Sequence, residues 1–193
     1  MSVRSCLPLA LTVMRLLLAP VLAAGALFAP APGLFGLCLT LGFLSDVFDG
    51  IIARRLGVAT PGLRRLDSAV DTVFYLAAGF AAWHLHPQVI ARCSGALLML
   101  GALELGRYLL DFAKFGREAS YHMWSSKAWG LALFVSFIAL LVLGYTGPWV
   151  ATPVYLGIVA DVEGLAISLL LSHWQSDVPS LFHAMRLRSV ARA

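Results

Sequence analysis

The sequence is poor in charged residues, which make up only 12% of its 193 positions. Soluble domains carry about 25% charged residues, so this shortage excludes an ordinary soluble protein. Hydrophobic residues make up 60% of the chain, and its mean hydropathy is +0.86. Successive apolar stretches approach or exceed the roughly 20 residues that a helix needs to cross a bilayer. We therefore predict an all-α, polytopic membrane bundle of six transmembrane helices, at about residues 5–29, 33–55, 67–85, 88–112, 124–146 and 149–172.

Cysteine is also scarce, and Cys6, Cys38 and Cys93 are scattered through apolar sequence without paired spacing. This pattern argues against a disulfide framework and a zinc site, and we interpret the three as packing residues. There is no repeat, no low-complexity segment and no recognisable nucleic-acid-binding module. Arg15 interrupts the first apolar stretch and five further stretches follow, so we expect a retained membrane helix rather than a cleaved signal peptide. Six short-looped spans predict a single membrane-embedded domain over residues 1–193.

The positive charges are distributed unevenly between the predicted connections. With both termini on the inner side, the outer connections (30–33, 83–92 and 145–152) hold one arginine, Arg92. The inner loops and tail hold many more: Arg54, Arg55, Arg64, Arg65, Lys114, Arg117, Arg186, Arg188 and Arg192. By the positive-inside rule, the inner side of this bundle is the cytoplasmic side.

Four aspartates stand out from the otherwise apolar sequence between residues 46 and 71. Asp46 and Asp49 lie three residues apart near the end of the second apolar stretch, and Asp67 and Asp71 lie four apart at the start of the third. On helices these spacings place each pair on one face. The short link between the two helices contains glycine and proline and would let them pack antiparallel, so that all four carboxylates converge. These four residues are called the aspartate cluster below.

Such a cluster is costly, because one aspartate at the centre of a membrane helix costs roughly 2.5 to 3.5 kcal/mol. Two like charges at close range repel by about 4 kcal/mol at an effective dielectric constant near 20. Protonation would relieve the repulsion, and a bound divalent cation would relieve it while all four carboxylates stay ionised. Capping and surface charge at helix ends form the alternative without a ligand. A carboxylate-only ligand set suits hard cations, so we predict Mg²⁺ or Mn²⁺.

Small and polar residues near the cluster have two interpretations each. Thr12 and Arg15 lie one helical turn apart in the first span. The arginine either extends to the lipid headgroups or pairs with the aspartate cluster or a phosphate. Gly50 and Ala53 share a face with the first aspartate pair and either allow close helix packing or leave space for a ligand.

Several basic residues could bind an anionic substrate. Arg64 and Arg65 border the cluster and otherwise serve as charge at the lipid surface. Arg107 follows Glu104 by three residues, which predicts an internal ion pair or, alternatively, an arginine that contacts the substrate. Lys127 lies just inside the fifth span and is a candidate for binding an anionic acceptor.

The cluster and its flanking residues resemble the signature of the CDP-alcohol phosphatidyltransferase family. That signature reads Asp-x-x-Asp-Gly-x-x-Ala-Arg, eight residues, Gly, three residues, Asp, three residues, Asp. Leu63 occupies the second glycine position, with Gly62 one residue earlier, and Leu9 stands where an asparagine often precedes the family's Thr-x-x-Arg. The residues that match are Thr12 and Arg15 in the first span, then Asp46, Asp49, Gly50, Ala53, Arg54, Asp67 and Asp71.

The resemblance implies an enzyme of phospholipid synthesis that transfers a phosphatidyl group from CDP-diacylglycerol to a small alcohol and releases CMP. It implies two Mg²⁺ (or Mn²⁺) ions on the aspartate cluster and Asp71 as the general base. The implied contacts to the CDP-linked lipid are Thr12, Arg15, Gly50, Ala53, Arg54 and Thr60.

Arg64, Arg65, Arg107 and Lys127 would suit a phosphorylated acceptor, and on that ground we favour glycerol 3-phosphate. We expect membrane lipids and no nucleic acid as partners, with a homodimer as a candidate assembly. The expected location is the bacterial inner membrane, with the active site facing the cytoplasm.

Two other functions use aspartates in membranes. A membrane prenyltransferase also binds a diphosphate lipid through aspartates and Mg²⁺, but it needs more spans and lacks the Gly-x-x-Ala-Arg continuation. A cation or proton transporter would use the aspartates as its ion site, yet the second and third spans become apolar away from the cluster. Asp161 and Glu163 in the sixth span are given no catalytic role.

Overall fold

A computed structural model describes residues 3–58 and 60–190, and the side chains of residues 3–6, 61, 64, 189 and 190 fall outside that description. The expectations for Arg192 and for the side chains of Cys6 and Arg64 therefore lie outside the described part of the chain. The described helices are α1 (Val3–Phe28), α2 (Pro32–Arg55), α3 (Pro61–Leu85), α4 (Pro87–Arg92), α5 (Ser94–Phe115), α6 (Trp124–Phe137), α7 (Thr152–Leu170) and α8 (Leu181–Val190). A π-helical turn, Ile138–Val142, continues α6, and a 3₁₀ turn, Pro148–Ala151, precedes α7. The all-α prediction is confirmed.

Within the described residues, four helical segments are long and apolar enough to cross a membrane: Leu7–Phe28, Pro32–Arg55, Trp124–Val142 and Pro148–Leu170. The predicted count of six spans is not confirmed. α3 and α5 have 25 and 22 residues, which is sufficient length, but both carry several charged side chains. The predicted fourth span is also interrupted, because Cys93 leaves the helical conformation (φ −109°, ψ 13°) between α4 and α5.

Capping motifs build the short link that joins the two halves of the aspartate cluster. Gly57 has φ of +66°, a conformation that glycine adopts without strain. The Gly57 and Val58 amides donate to carbonyl oxygens in the last turn of α2, at 3.3 and 3.0 Å, which is a Schellman motif. α3 then begins at Pro61, and the Thr60 hydroxyl accepts a hydrogen bond from the Leu63 amide at 3.2 Å. Leu63 lies inside α3, so helical geometry there does not require the glycine of the family signature.

The chain divides into two compact units, which are described separately. The first comprises the residues up to Ile90 together with Phe137–Thr146. In this unit α1 packs along both α2 and α3, whereas α2 and α3 make few direct contacts with each other. α2 and α3 contact each other where the Phe74 ring lies against Gly42, while α1 provides most of the surface that each of them packs against.

Polar groups lie inside the first unit and apolar groups face outward. Thr12, Arg15 and Asp49 are each at most 4% exposed. Leu17 and Leu76, on α1 and α3, have exposed fractions of 63% and 67%. This arrangement suits a surrounding of lipid, where outward apolar side chains carry no penalty and polar groups need internal partners.

The second unit comprises Ala91–Ser136 and the residues from Gly147 onward. Here α5 packs against α7, and α8 packs on α7. Gly157 and Gly164 allow close approach, because a Cβ on them would lie 2.8 Å from the Trp129 indole and 3.0 Å from the Arg107 side chain. The hydrophobic core of the second unit contains residues from both loops and helices: Tyr121, Met123, Ile167, Leu171, Val178 and Ala184. The prediction of a single domain stays a prediction.

Candidate active site

A single arginine from α1 lies among the carboxylates of the aspartate cluster. The Arg15 Nη1 atom is 3.4 Å from Asp46 Oδ1 and 3.2 Å from Asp67 Oδ1, and it also contacts Asp71 Oδ1. Its Nη2 atom lies 2.5 Å from Asp49 Oδ2. The interpretation of Arg15 as a partner of the anionic cluster is confirmed, whereas an extension to the headgroups is not seen, because the side chain is 1% exposed.

The predicted convergence of the cluster is also confirmed. Oxygen atoms of Asp46, Asp49 and Asp67 lie within 4.8 Å of one another. Asp71 follows Asp67 by one turn of α3 and joins the group through the same guanidinium. The carboxylates of α2 and α3 therefore come together around a guanidinium from a third helix, α1.

The site has a closed side and an open side. Asp49 is 5% exposed at its side chain and, with Arg15, forms the closed side. The side chains of Asp46, Asp67 and Asp71 are 40%, 31% and 29% exposed. Three carboxylates can therefore reach a ligand from outside, while the fourth is held within the helix packing.

Two hydroxyl groups support the closed side. Ser45 Oγ accepts a hydrogen bond from Arg15 Nε at 3.3 Å and donates to the Gly42 carbonyl oxygen at 2.7 Å. Thr12 Oγ1 lies 3.4 Å from Asp49 Oδ2 and 3.1 Å from the Pro8 carbonyl oxygen. These contacts fix the plane of the guanidinium and one carboxylate, so the closed side is preorganised.

The donor set fits a divalent cation. It consists of carboxylate oxygens alone, which hard cations such as Mg²⁺ and Mn²⁺ prefer. With all groups ionised, four carboxylates outweigh one guanidinium by three negative charges. The Arg15 guanidinium lies among the carboxylates, so the space between them accommodates positive charge.

The residues predicted to contact the CDP-linked lipid lie around the end of α2 and the start of α3. Arg54 is exposed and lies across Gly50, where an added Cβ would be 3.3 Å from Arg54 Nη1. Ala53 is buried, with 7% exposure. Thr60 is exposed and caps α3 through its hydroxyl. The slot expected at Gly50 is thus covered by a long exposed side chain, which can move without disturbing the helix.

Arg65 is exposed in the first turn of α3, two residues before Asp67. It belongs to the same unit as the aspartate cluster. Its neighbour Arg64 shares that turn, although its side chain lies outside the described residues. The position of these arginines on the element that carries Asp67 and Asp71 keeps both as candidates for binding an anionic acceptor.

The other two acceptor candidates, Arg107 and Lys127, belong to the second unit. Arg107 Nη2 lies 3.3 Å from Glu104, which confirms the expected ion pair, and its Nη1 lies 3.4 Å from Asp161, whose side chain is fully buried. Lys127 Nζ lies 4.6 Å from the centre of the Trp124 ring, a cation–π contact. Asp161 therefore neutralises an arginine within the unit.

Further polar contacts tie the loops of the second unit to its helices. Ser168 Oγ donates to Asp111 Oδ1 at 2.5 Å and lies 2.9 Å from the Tyr121 hydroxyl. Burial raises the pKa of Tyr121, so this phenol stays protonated and donates to Ser168. Glu163 accepts hydrogen bonds from Ser125 Oγ at 2.6 Å and from the Leu181 amide at 3.1 Å. The acidic residues without a predicted role thus have structural partners.

Sequence reasoning missed Ser45 and Tyr75. Ser45 precedes Asp49 by four residues, and Tyr75 follows Asp71 by four, so helical spacing alone places both beside the cluster. The Tyr75 ring stacks on Phe137 with a centroid separation of 6.4 Å. A search for polar residues one turn from each carboxylate would have identified both.

Comparison with known proteins gives one match. The family model described as CDP-alcohol phosphatidyltransferase matches residues 5–172. No curated protein matches the chain. No solved structure matches it either. The matched segment contains α2, α3 and the whole aspartate cluster.

Proposed function

The chain belongs to the CDP-alcohol phosphatidyltransferase family, and on that premise we propose that it transfers a phosphatidyl group from CDP-diacylglycerol to a small alcohol and releases CMP. The family transfers phosphatidyl groups from CDP-alcohols in phospholipid synthesis and generally depends on divalent metal ions. The observation that carries the proposal is the convergence of the aspartate cluster, with three carboxylates accessible beside the buried Arg15. Because the segment that matches the family includes the aspartate cluster, the match favours this chemistry over prenyl transfer and ion transport.

Asp46, Asp49, Asp67 and Asp71 would hold two Mg²⁺ or Mn²⁺ ions. When bound, such ions neutralise negative charge on the reacting diphosphate and on the departing CMP. The closed side of the site supports this role, because Asp49 is held between Arg15 and Thr12 and cannot turn away from the other carboxylates.

Asp71 would act as the general base. Its partial exposure lets an acceptor hydroxyl approach. Asp71 takes the hydroxyl proton as the acceptor oxygen attacks the phosphorus on the lipid side of the diphosphate. A new phosphorus–oxygen ester bond forms, the diphosphate bond breaks, and CMP leaves with the bonding electron pair.

The nucleotide end of the donor would lie at the end of α2. Gly50 and Ala53 have the smallest side chains there, and the exposed Arg54 can swing off Gly50 to bind the diphosphate. Thr12, Arg15 and Thr60 complete the proposed contacts. An arginine suits this role because its planar fork binds two phosphate oxygens at once.

We favour a phosphorylated acceptor, with glycerol 3-phosphate as the first choice. Arg64 and Arg65 stand at the start of the helix that carries the proposed base, and Arg107 and Lys127 are the further candidates. The asymmetry of arginine and lysine between connections favours a cluster that faces the cytoplasm, and we propose the bacterial inner membrane as its location.

The proposal is tested by incubating purified protein with radiolabelled CDP-diacylglycerol, Mg²⁺ and a panel of alcohols that includes glycerol 3-phosphate, inositol phosphate and serine. We expect stoichiometric release of CMP and a labelled lipid with one of the alcohols. Release of pyrophosphate from a prenyl diphosphate, with no reaction of CDP-diacylglycerol, would refute it.

A further inference from the structure

The Arg15 guanidinium lies among the carboxylates that would hold a metal ion. Its two terminal nitrogens make contacts with all four carboxylates. The side chain is 1% exposed, so these contacts are made away from bulk water. An arginine exposed on the helix surface would leave the space between the carboxylates open, whereas the buried Arg15 guanidinium fills it with positive charge.

The carboxylates that contact the Arg15 guanidinium are also the ones that offer ligand atoms for a metal ion. Asp46, Asp49 and Asp67 offer ligand atoms within 4.8 Å of one another, and Arg15 lies 2.5 to 3.4 Å from an oxygen of each. Mg²⁺ binds carboxylate oxygens at roughly 2.1 Å, so the oxygens must draw closer around it. At this range the positive guanidinium repels a divalent ion. It also neutralises part of the negative charge that would attract that ion.

We propose that Arg15 is a built-in competitor of the divalent cations. Its guanidinium holds the aspartate cluster together when no metal is bound, and metal binding requires it to give up its Nη1 contacts with Asp46, Asp67 and Asp71. This inference rests on the proposed function, because it assumes that the cluster binds divalent cations.

The contacts of Arg15 separate into two groups that explain how it can yield. Its Nε atom binds Ser45 Oγ, and Ser45 is anchored to the Gly42 carbonyl, so this contact involves no carboxylate. The terminal nitrogen Nη1, in contrast, contacts the three carboxylates that are partly exposed. The three partly exposed carboxylates can therefore turn from Nη1 towards a metal ion, while the contacts with Ser45 and Asp49 keep the arginine inside the unit.

The test is Mn²⁺ binding, measured by electron paramagnetic resonance on metal-free purified protein. Removing the charge in Arg15→Gln should tighten Mn²⁺ binding on the order of tenfold or more, because a like charge within about 4 Å is lost. Arg15→Lys keeps the charge but cannot reach four carboxylates at once, so its affinity should lie between the two. Arg55→Gln removes an exposed charge from the last turn of α2 and serves as the matched control, with unchanged affinity.

Thermal unfolding gives a second readout that does not require activity. The Arg15→Gln variant lacks the positive charge that lies among the carboxylates, so in chelator it should unfold at a lower temperature than wild type. Mn²⁺ should raise the melting temperature of the variant more than that of wild type. A variant that folds only with Mn²⁺ present would support the proposal equally. If Arg15→Gln cannot be obtained folded, Arg15→Lys carries the test through its Mn²⁺ affinity.

The possible results separate this inference from the proposed function. Measurable Mn²⁺ binding in wild type, with equal or weaker binding in both Arg15 variants, overturns the competition and leaves the metal site standing. Absence of Mn²⁺ binding in every form overturns the competition together with the metal-dependent part of the proposed function. Binding in the variants but not in wild type supports the competition in its strongest form.

Discussion

The aromatic ring of Phe74 lies directly against the backbone of Gly42. A Cβ added to Gly42 would be 2.3 Å from the tip of that ring, and Phe74 is only 2% exposed. Gly42 is also the residue whose carbonyl anchors Ser45. One close approach between α2 and α3 therefore sets the distance between the two halves of the aspartate cluster and the position of the serine that holds Arg15.

Replacement of Gly42 by alanine should separate the two helices. The added methyl group would overlap the buried ring, so we expect a loss of about 1 to 3 kcal/mol in stability together with reduced transfer. Gly79→Ala on α3 is the matched control, because nothing lies within 4 Å of its added Cβ. Thermal unfolding and CMP release measure both effects, and a Gly42→Ala protein as stable and active as Gly79→Ala would contradict the packing argument.

Ser45→Ala should loosen the guanidinium of Arg15. The change removes a buried hydroxyl that accepts from Arg15 Nε, and one such hydrogen bond contributes about 1 kcal/mol. We expect a fall in kcat of severalfold with little change in KM for CDP-diacylglycerol. Ser136→Ala removes another buried serine hydroxyl and controls for the general effect. Equal kinetics for the two variants would remove Ser45 as a positioning residue.

One pair of variants can separate the capping role of Thr60 from its proposed contact with the donor. Thr60→Ala removes the cap of α3 and should cost about 1 kcal/mol of stability. Thr60→Asp restores a good cap but replaces the hydroxyl with a negative charge. If Thr60 also contacts the donor, the aspartate variant should regain stability and still show a raised KM for CDP-diacylglycerol. Full recovery of both quantities would show that the cap is its whole contribution.

Arg107→Gln should destabilise the second unit. The substitution leaves the fully buried Asp161 without its arginine, and breaking a buried pair costs roughly 3 to 5 kcal/mol. The double variant Arg107→Gln with Asp161→Asn should recover much of that loss. Kinetics of the double variant with glycerol 3-phosphate then test the acceptor role, which predicts a raised KM. A KM equal to that of wild type would assign Arg107 to structure alone.

The sequence allowed the aspartate cluster, its family and the pair Glu104–Arg107 to be predicted, because helical spacing and charge in apolar sequence are local signals. It did not reveal that α1 supplies most of the surface against which α2 and α3 pack, or that Arg15 alone would contact all four carboxylates. Residue spacing identifies which side chains share one face of a helix. Which other helix lies against that face depends on the packing of the helices.

The predicted count of six spans is not confirmed for a related reason. The charges of α3 and α5 lower their apolar character, even where a charge is paired inside a unit, as Arg107 is with Asp161. Hydropathy sums side chains without regard to their partners. Ser94 and Gly95 directly follow the break at Cys93, and such a Ser-Gly pair is a local turn signal that the span prediction did not use.

The most direct test of the central claim is transfer by the Asp71→Asn variant. The substitution keeps the shape of the side chain and removes the proposed base and a carboxylate from the cluster. With purified protein, CDP-diacylglycerol, Mg²⁺ and the accepted alcohol, we predict that wild type and the control Asp177→Asn release CMP and form lipid product. Asp71→Asn should form no product while still binding CDP-diacylglycerol in the presence of Mg²⁺. Transfer by Asp71→Asn at a rate near that of wild type would contradict the account.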